Sequence, residues 1–472
     1  MKMNSHVEVG GVGAIAPARG LSRAITATCL ALLGFTLLLT GSGWARAQEP
    51  APAPAEEKRP TGLPWADHWT FNFDAGLGWF GFGNSLYTNA RPDPSGDLGA
   101  NWAESFIKPA LSASFDLGGG ELYGKLSSVA ERTFQAPPPL VGAQAASLQI
   151  EDLYVGWRSG KSVGESENLL DFTLGRAPYK IGHGMLLWDG AGEGGSRGGF
   201  WSNARKAWAF ATVARVKPGN HTFEAFYLER DDVPESETDS RTWGGNYEFA
   251  AGEKTTLGAT YLKWCADQDV RERRDGLNVY NVRAYTAPFK ALPDLSFELE
   301  YAAERNGDLN DSSAWTAQAA YEMSSVGWKP KPSYRYAFFE GDDPSTEADE
   351  SFDSLYPGFY DWGTWWQGEI AGEYFLSNSN LVSHELRVHL TPSESVGAGV
   401  IGFLFSLDQL PAPEITSKDI AYEIDTYCDW KVNRNFTLSF VAAYAAPQEA
   451  AQQAYGRTES FLYGMVYVAY SY

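Results

Sequence analysis

Three cations, Lys180, Arg197 and Arg205, fall in or at the edge of one long glycine-rich stretch, residues 179–205. Fixed cations facing a narrow passage attract carboxylates, and arginine can hold one through a planar pair of hydrogen bonds. The chemistry on offer is electrostatic selection, with no bond made or broken. The same arginines can instead pair with acids of a surrounding wall and pin the stretch in place, and the sequence leaves both readings open. Arg176, just before the stretch, belongs with them. Further along, Arg283, Arg335 and Arg387 are set against Glu298, Glu300, Glu385, Glu423 and Asp425. Glu385, Arg387 and His389 recur at every second position, so they share one face of a strand and are expected to form an ion-pair ladder. With the histidine neutral near pH 7, such a ladder gives little net field.

Catalysis finds little footing. His183 has Asp189 and Ser196 nearby in sequence, yet no Gly-x-Ser-x-Gly elbow surrounds that serine. His384 and His389 are an odd number of residues apart, which puts them on opposite faces of a strand and argues against joint metal ligation. We expect no enzyme, no metal and no cofactor. The acidic run from Asp342 and Asp343 to Asp353 reads as a solvated loop, with a divalent-cation site as the weaker alternative. The chain has 37 Lys and Arg against 59 Asp and Glu, a net charge of −22 that argues against a nucleic-acid partner.

Selectivity of this kind needs a rigid frame, and period-2 patterning supplies one. Trp69, Phe71, Phe73, Ala75, Leu77 and Trp79 alternate with Thr70, Asn72, Asp74, Gly76 and Gly78. Leu111, Ala113, Phe115 and Leu117 alternate with Ser112, Ser114 and Asp116. The pattern recurs around Trp315–Glu322, Ser333–Phe338, Glu385–Leu390 and Ile420–Asp425, with no competing helical segment. A strand with one face in lipid and one in water needs this alternation. No stretch beyond the N-terminal region approaches the ~18 apolar residues of a membrane helix. The 17 Trp, 24 Tyr and 26 Phe fit aromatic girdles. On the last strand Leu462, Val466, Val468, Tyr470 and Tyr472 share a face, and an unprotected aromatic edge of that sort would aggregate in a soluble protein.

At the start, Arg19 and Arg23 precede an apolar run from about Ala24 to Leu39, and Ala45-Arg46-Ala47 is a small-x-small cleavage pattern. Residues 1–47 therefore read as a signal peptide and 48–66, rich in Pro and Glu, as a disordered periplasmic tether. Residues 67–472 are the barrel. Short connections at 118–120, 217–220 and 251–254 fit periplasmic turns; long ones near 82–101, 135–145, 179–205 and 341–362 fit extracellular loops. Nineteen candidate strands reduce to eighteen once 362–377 is assigned to an extracellular loop, with sixteen as the alternative. Cys265 and Cys428 are placed near opposite ends of their strands, too far apart for a disulfide. Strict alternation from Leu170 through Leu174 sends Arg176 toward lipid, where a charge costs ~2–4 kcal/mol at mid-depth. A bulge at Gly175 that turns Arg176 inward is the favoured resolution, with Arg176 already lying at the interface as the alternative.

The run Leu174-Gly175-Arg176-Ala177-Pro178-Tyr179-Lys180-Ile181-Gly182-His183-Gly184, followed by Gly195-Ser196-Arg197-Gly198-Gly199-Phe200-Trp201 and Ala204-Arg205-Lys206-Ala207, resembles the alginate export family of outer-membrane porins. So does Tyr334-Arg335-Tyr336-Ala337-Phe338-Phe339-Glu340-Gly341-Asp342. The resemblance covers roughly residues 100–472. It implies an eighteen-stranded monomeric barrel narrowed by infolded loops and, for alginate itself, a strongly cationic constriction. The inferred inner face is mixed in charge, so small organic anions or sugars fit as well as a polyuronate. The expected partners are outer-membrane lipid and lipopolysaccharide, small anionic or saccharide solutes, and the outer-membrane assembly machinery. The expected location is the outer membrane of a Gram-negative bacterium. The competing expectation is a structural or adhesive barrel plugged by residues 341–377, Trp365 and Trp366 among them.

Overall fold

A strand apolar at every second side chain has one apolar and one polar face, and a sheet of such strands that closes on itself leaves no exposed edge. A computed structural model shows this outcome. It describes residues 68–84, 99–135, 145–164, 166–188, 190–202, 204–358, 367–373 and 376–472. The expected signal peptide and tether, Asp189, Trp365 and Trp366 lie outside the described residues.

Eighteen antiparallel strands follow one another in an up-and-down order. They are β1 (Trp69–Gly83), β2 (Ala100–Asp116), β3 (Glu121–Phe134), β4 (Ala146–Arg158), β5 (Leu170–Arg176) and β6 (Phe210–Val216). Next come β7 (His221–Glu229), β8 (Arg241–Ala250), β9 (Thr255–Cys265), β10 (Asn278–Thr286), β11 (Leu295–Arg305) and β12 (Asp311–Tyr321). The last six are β13 (Lys331–Phe339), β14 (Leu381–Ser393), β15 (Val396–Ser406), β16 (Asp419–Lys431), β17 (Phe436–Pro447) and β18 (Phe461–Ser471). Each strand pairs with its sequence neighbours, and β1 pairs with both β2 and β18, so the sheet is closed. At the seam Phe73 and Tyr472 exchange backbone hydrogen bonds of 3.0 and 2.9 Å.

The expected alternation sorts side chains onto two surfaces. On β14 Leu386 is 62% exposed on the outside, whereas Glu385 and Arg387 beside it are 2% and 9% exposed on the inside. Likewise Tyr422 and Ile424 face out while Glu423 and Asp425 are buried within. Trp69, Phe71, Leu77 and Trp79 continue the outer apolar band on β1, with Phe80 and Phe82 turned in. The outer surface is thus an apolar band, while the inside gathers the buried charged side chains together with an apolar cluster. The connections after β2, β6 and β8 are short and lie at one end; those after β1, β3, β5 and β13 are long and lie at the other, as the turn lengths imply.

Three local features depart from plain alternation. Residues 362–377 contribute no strand among the described residues; instead Gly368–Gly372 form a single wide helical turn. Gly175 has φ +121°, a conformation that favours glycine, and a Cβ there would collide with the Leu153 carbonyl oxygen. No register shift accompanies it, so Arg176 is redirected by a glycine kink at the strand end and not by the expected bulge. A bulge does lie one strand earlier. The β3–β4 register slips between Leu126 and Ser128, and the consecutive acids Glu151 and Asp152 are both buried on the inside. Cys265 and Cys428 are both free and stand toward opposite ends of the barrel.

Candidate constriction

The long connection between β5 and β6, residues 177–209, runs across the lumen. Near its start the Tyr179 hydroxyl donates to Glu224 of β7 (3.1 Å), and His183 stacks on Tyr285 of β10 with ring centroids 3.8 Å apart. His183 Nδ1 lies 3.0 Å from Glu298 of β11. At its far end the backbone amides of Trp201 and Ser202 donate to Glu104 of β2 (2.9 and 2.8 Å), and those of Lys206 and Ala207 to Glu151 of β4 (2.7 and 2.9 Å). In an eighteen-strand circle β10 and β3 stand almost opposite, so the segment bridges the opening. Its glycines permit this close approach: Gly190 leaves no room for a Cβ against the Trp208 backbone, and Gly199 none against Glu131.

The expected cationic lining is divided by burial. Arg176, Arg197 and Arg205 converge on one carboxylate, Asp231, in the connection after β7. Arg197 makes the pair at 2.9 Å and also donates to the carbonyls of Gly192 and Asp232. Arg205, 0% exposed, reaches Gln149 and Glu151 as well. Burial works against the Asp231 charge, but Arg176, Arg205 and Arg197 outweigh it and hold the carboxyl below its ordinary value. Arg197 and Arg205 therefore pin the loop and do not line the passage, because an isolated buried guanidinium is too costly to leave unneutralised. Arg176 joins them. Lys180 is the exposed member, its ammonium 4.4 Å from the Trp188 ring centroid.

The wall arginines are inward, as alternation requires, and each is set in a different frame. Arg283 donates to Asn246 (2.6 Å), Glu248 (2.7 Å) and Thr260 (2.9 Å). It fits flat between Gly258 on the wall and Gly182 on the loop, where Cβ atoms would strike it. Arg335 pairs with Glu385 on the adjacent strand at 2.7 Å, both nearly fully buried. Arg387 lies over the Tyr427 ring and donates to its hydroxyl (Nε to Oη 3.1 Å), which also meets His389 Nδ1 at 2.7 Å. The ladder expected along β14 is thus resolved sideways: Glu385 serves Arg335, and a tyrosine on β16 joins Arg387 to His389. Tyr427 itself lies over Gly399.

Glu423 and Asp425, expected to line the pore, are occupied by backbone. Glu423 accepts from the amides of Ile370 and Ala371, both at 2.7 Å, and Asp425 from Glu369 at 3.1 Å. The connection between β13 and β14 enters the lumen by the same device, with the Asp353 amide on Glu304 at 2.8 Å. The two infolded connections clasp each other. Leu187 and Tyr356 form a parallel bridge; the Trp188 amide donates to the Tyr356 carbonyl (2.9 Å) and the Gly358 amide to Gly184 (3.0 Å). Ile181, Met185, Leu186, Leu187, Phe352, Leu355 and Ile370 are buried with wall residues such as Trp264, Phe339 and Phe403 in one apolar cluster.

The expected set holds the arginines but misses the groups that meet them, Asp231, Glu151 and Tyr427, and two acids that receive loop amides, Glu104 and Glu304. Alternation marks Glu104 and Glu304 as inward acids, a usable signal. Nothing local marks Asp231, whose role depends on where three separate arginines arrive. His183 is held by Glu298 and Tyr285 while Ser196 bonds Glu235; Asp189 lies outside the described residues. In the acidic loop Asp349 and Asp353 pair with Arg273 (3.0 Å) and Arg274. No metal-binding group of three or more ligands is found among the described residues.

No family model matches the chain, and no curated relative does, so the resemblance to alginate exporters gains no support there. Solved structures do match. OccK5 (OpdH) of Pseudomonas aeruginosa is similar over 87% of this chain and 99% of its own, with 10% identity and a TM-score of 0.56. OccAB2 of Acinetobacter baumannii covers 85% and 98%, with 13% identity and a TM-score of 0.54. The outer membrane protein OprD of P. aeruginosa covers 86% and 93%, with 12% identity and a TM-score of 0.53. At these identities the likeness establishes the barrel fold alone.

Proposed function

We propose that the chain is an outer-membrane porin of a Gram-negative bacterium, a passive channel for small solutes narrowed by its own infolded loops. The observation that carries this reading is the closed eighteen-strand barrel with an apolar exterior and buried charged groups within, crossed by a pinned loop. An apolar belt of this kind is stable in a bilayer and insoluble outside it. The barrel likeness to the outer membrane protein OprD supports the same location. Lipid and lipopolysaccharide would surround the barrel, and the outer-membrane assembly machinery would insert it. The work is transport, with selection by charge and size at the narrowest point and no catalysis.

Small anionic or sugar-like solutes are the finer reading, a polyuronate among them. Lys180 beside Trp188 offers an exposed cation backed by an aromatic face, a pairing that suits carboxylated sugars. Conductance and reversal potential of the mature protein in planar bilayers under a salt gradient test this. Anion preference with block by a uronate supports it; cation preference keeps the porin and discards the polyuronate. The second reading is a plugged structural barrel, favoured by the apolar cluster that joins Leu187, Phe352 and Ile370 to the wall. Absence of conductance from correctly folded protein would decide for it.

A further inference from the structure

The turn Gly368–Gly372 is attached to β16 through its backbone and carries a carboxyl into the same place. Glu423 and Asp425 receive three consecutive amides, from Glu369, Ile370 and Ala371. Gly368, at φ +90°, could not carry a Cβ without striking Glu423. The Glu369 side chain is buried, and the groups facing it are nearly all acids: Asp425 and Asp429 from β16, and Glu373 from its own segment, with a hydrogen bond from Trp201 of the β5–β6 connection. The adjoining strands add no cation. The buried faces of β17 and β18 present Val441, Ala443, Ala445, Tyr463, Met465 and Tyr467. The guanidinium that touches the segment, Arg335, does so at Gln367 (3.4 Å) and is paired with Glu385.

A Glu369 carboxyl buried beside other acids without a facing cation is disfavoured as an anion, because burial and repulsion both favour its neutral form. We propose that residues 367–373 are a proton-dependent latch, docked on β16 while the Glu369 carboxyl keeps its proton and released into the lumen as the medium turns alkaline. Burial first, and then Asp425 and Glu373, hold the Glu369 carboxyl well above its ordinary value. The docked state consequently binds more protons than the free one. Docking is complete below the ordinary carboxylate range and is lost as pH rises through the raised value. Each coupled proton changes the docked-to-free ratio by about tenfold per pH unit. That release widens the passage rests on the porin reading; the docking equilibrium does not.

The test uses the full chain with Cys265→Ser and Cys428→Ser, and a thiol placed by Ile370→Cys at a fully buried, larger side chain. Labelling by a charged maleimide is followed from pH 6 to 9 and divided by the rate at Ser345→Cys, an exposed position, which removes the intrinsic pH dependence of the thiol. The normalised rate should rise at least tenfold, and the rise should vanish when Glu369→Gln is added, since the amide stays neutral. A flat profile, or an unchanged rise with Glu369→Gln, overturns the latch. Conductance is recorded alongside. Labelling that rises in a protein silent at every pH would leave the latch standing and remove the porin reading.

Discussion

Replacing Asp231 by Asn tests the three-arginine knot directly. The substitution keeps the size of the side chain and one acceptor oxygen but leaves Arg176, Arg197 and Arg205 without their shared charge. Their side chains are 16%, 6% and 1% exposed and that of Asp231 14%, so solvent screens the site little. Removing one partner of a buried pair costs about 3–5 kcal/mol, and each ~1.4 kcal/mol is a factor of ten. The barrel hydrogen bonds do not depend on Asp231, so the cost should appear as local opening of residues 190–209. Taking the lower end because the acceptor remains, opening should increase by about a hundredfold. Brief trypsin digestion with mass spectrometry reads this as cleavage after Arg197 and Arg205, both shielded in the parent protein. Asp239→Asn is the control: its pair with Arg241 is half exposed and should contribute almost nothing. Cleavage within twofold of the parent in Asp231→Asn would refute the pinning argument. Since the Asp231 carboxyl is held below its ordinary 3.8, the knot is fully present above that pH and lost only as pH falls through the lower value. Digestion by an acid protease should therefore find the loop closed at pH 5.

Arg335→Met leaves Glu385 buried without its ion-pair partner and should lower the melting temperature, with a cost of about 3–5 kcal/mol; adding Glu385→Gln should recover most of it. Tyr427→Phe removes the hydroxyl that serves both Arg387 and His389, at roughly 1–3 kcal/mol, and should raise the B-factors of both side chains in a crystal structure. Gly175→Ala combines an unfavourable φ with a backbone collision and should destabilise by at least ~1–3 kcal/mol, measured as a lower denaturation temperature in detergent. Lys180→Glu reverses the exposed charge beside Trp188 and should move the reversal potential toward cations, whereas Arg197→Gln should act mainly on loop protection.

The frame was legible because alternation is a local property that the closed sheet cannot override: shifting Leu386 by one residue would put it in the lumen and Glu385 in the outer band. Strand number followed from turn lengths once 362–377 was treated as a connection. The constriction was legible only by half. Arg197 and Arg205 stood out as cations in a glycine-rich run, but their burial depends on acids contributed from far along the chain, and no spacing encodes that meeting. Glu423 and Asp425 were correctly turned inward, yet what they face is backbone, and an amide that will arrive from another loop leaves no mark on the sequence. The kink at Gly175 was anticipated in place but not in kind. The actual bulge, opposite Ser127, hides in the pair Glu151-Asp152, where two acids in succession were the available sign.

The bridge between Leu187 and Tyr356 ties the β5–β6 connection to the β13–β14 connection, segments on distant parts of the ring. Such a tie sets an order of assembly. It can form only after the intervening strands have brought the two connections to the same space, so the lumen is filled after the wall is built. Contacts this far apart in sequence are slow to find each other. Before the clasp forms the lumen is less obstructed, and the clasp is the step that ends that interval. It also makes the two loops one mechanical unit, so exchanging either for a loop from another barrel would loosen both.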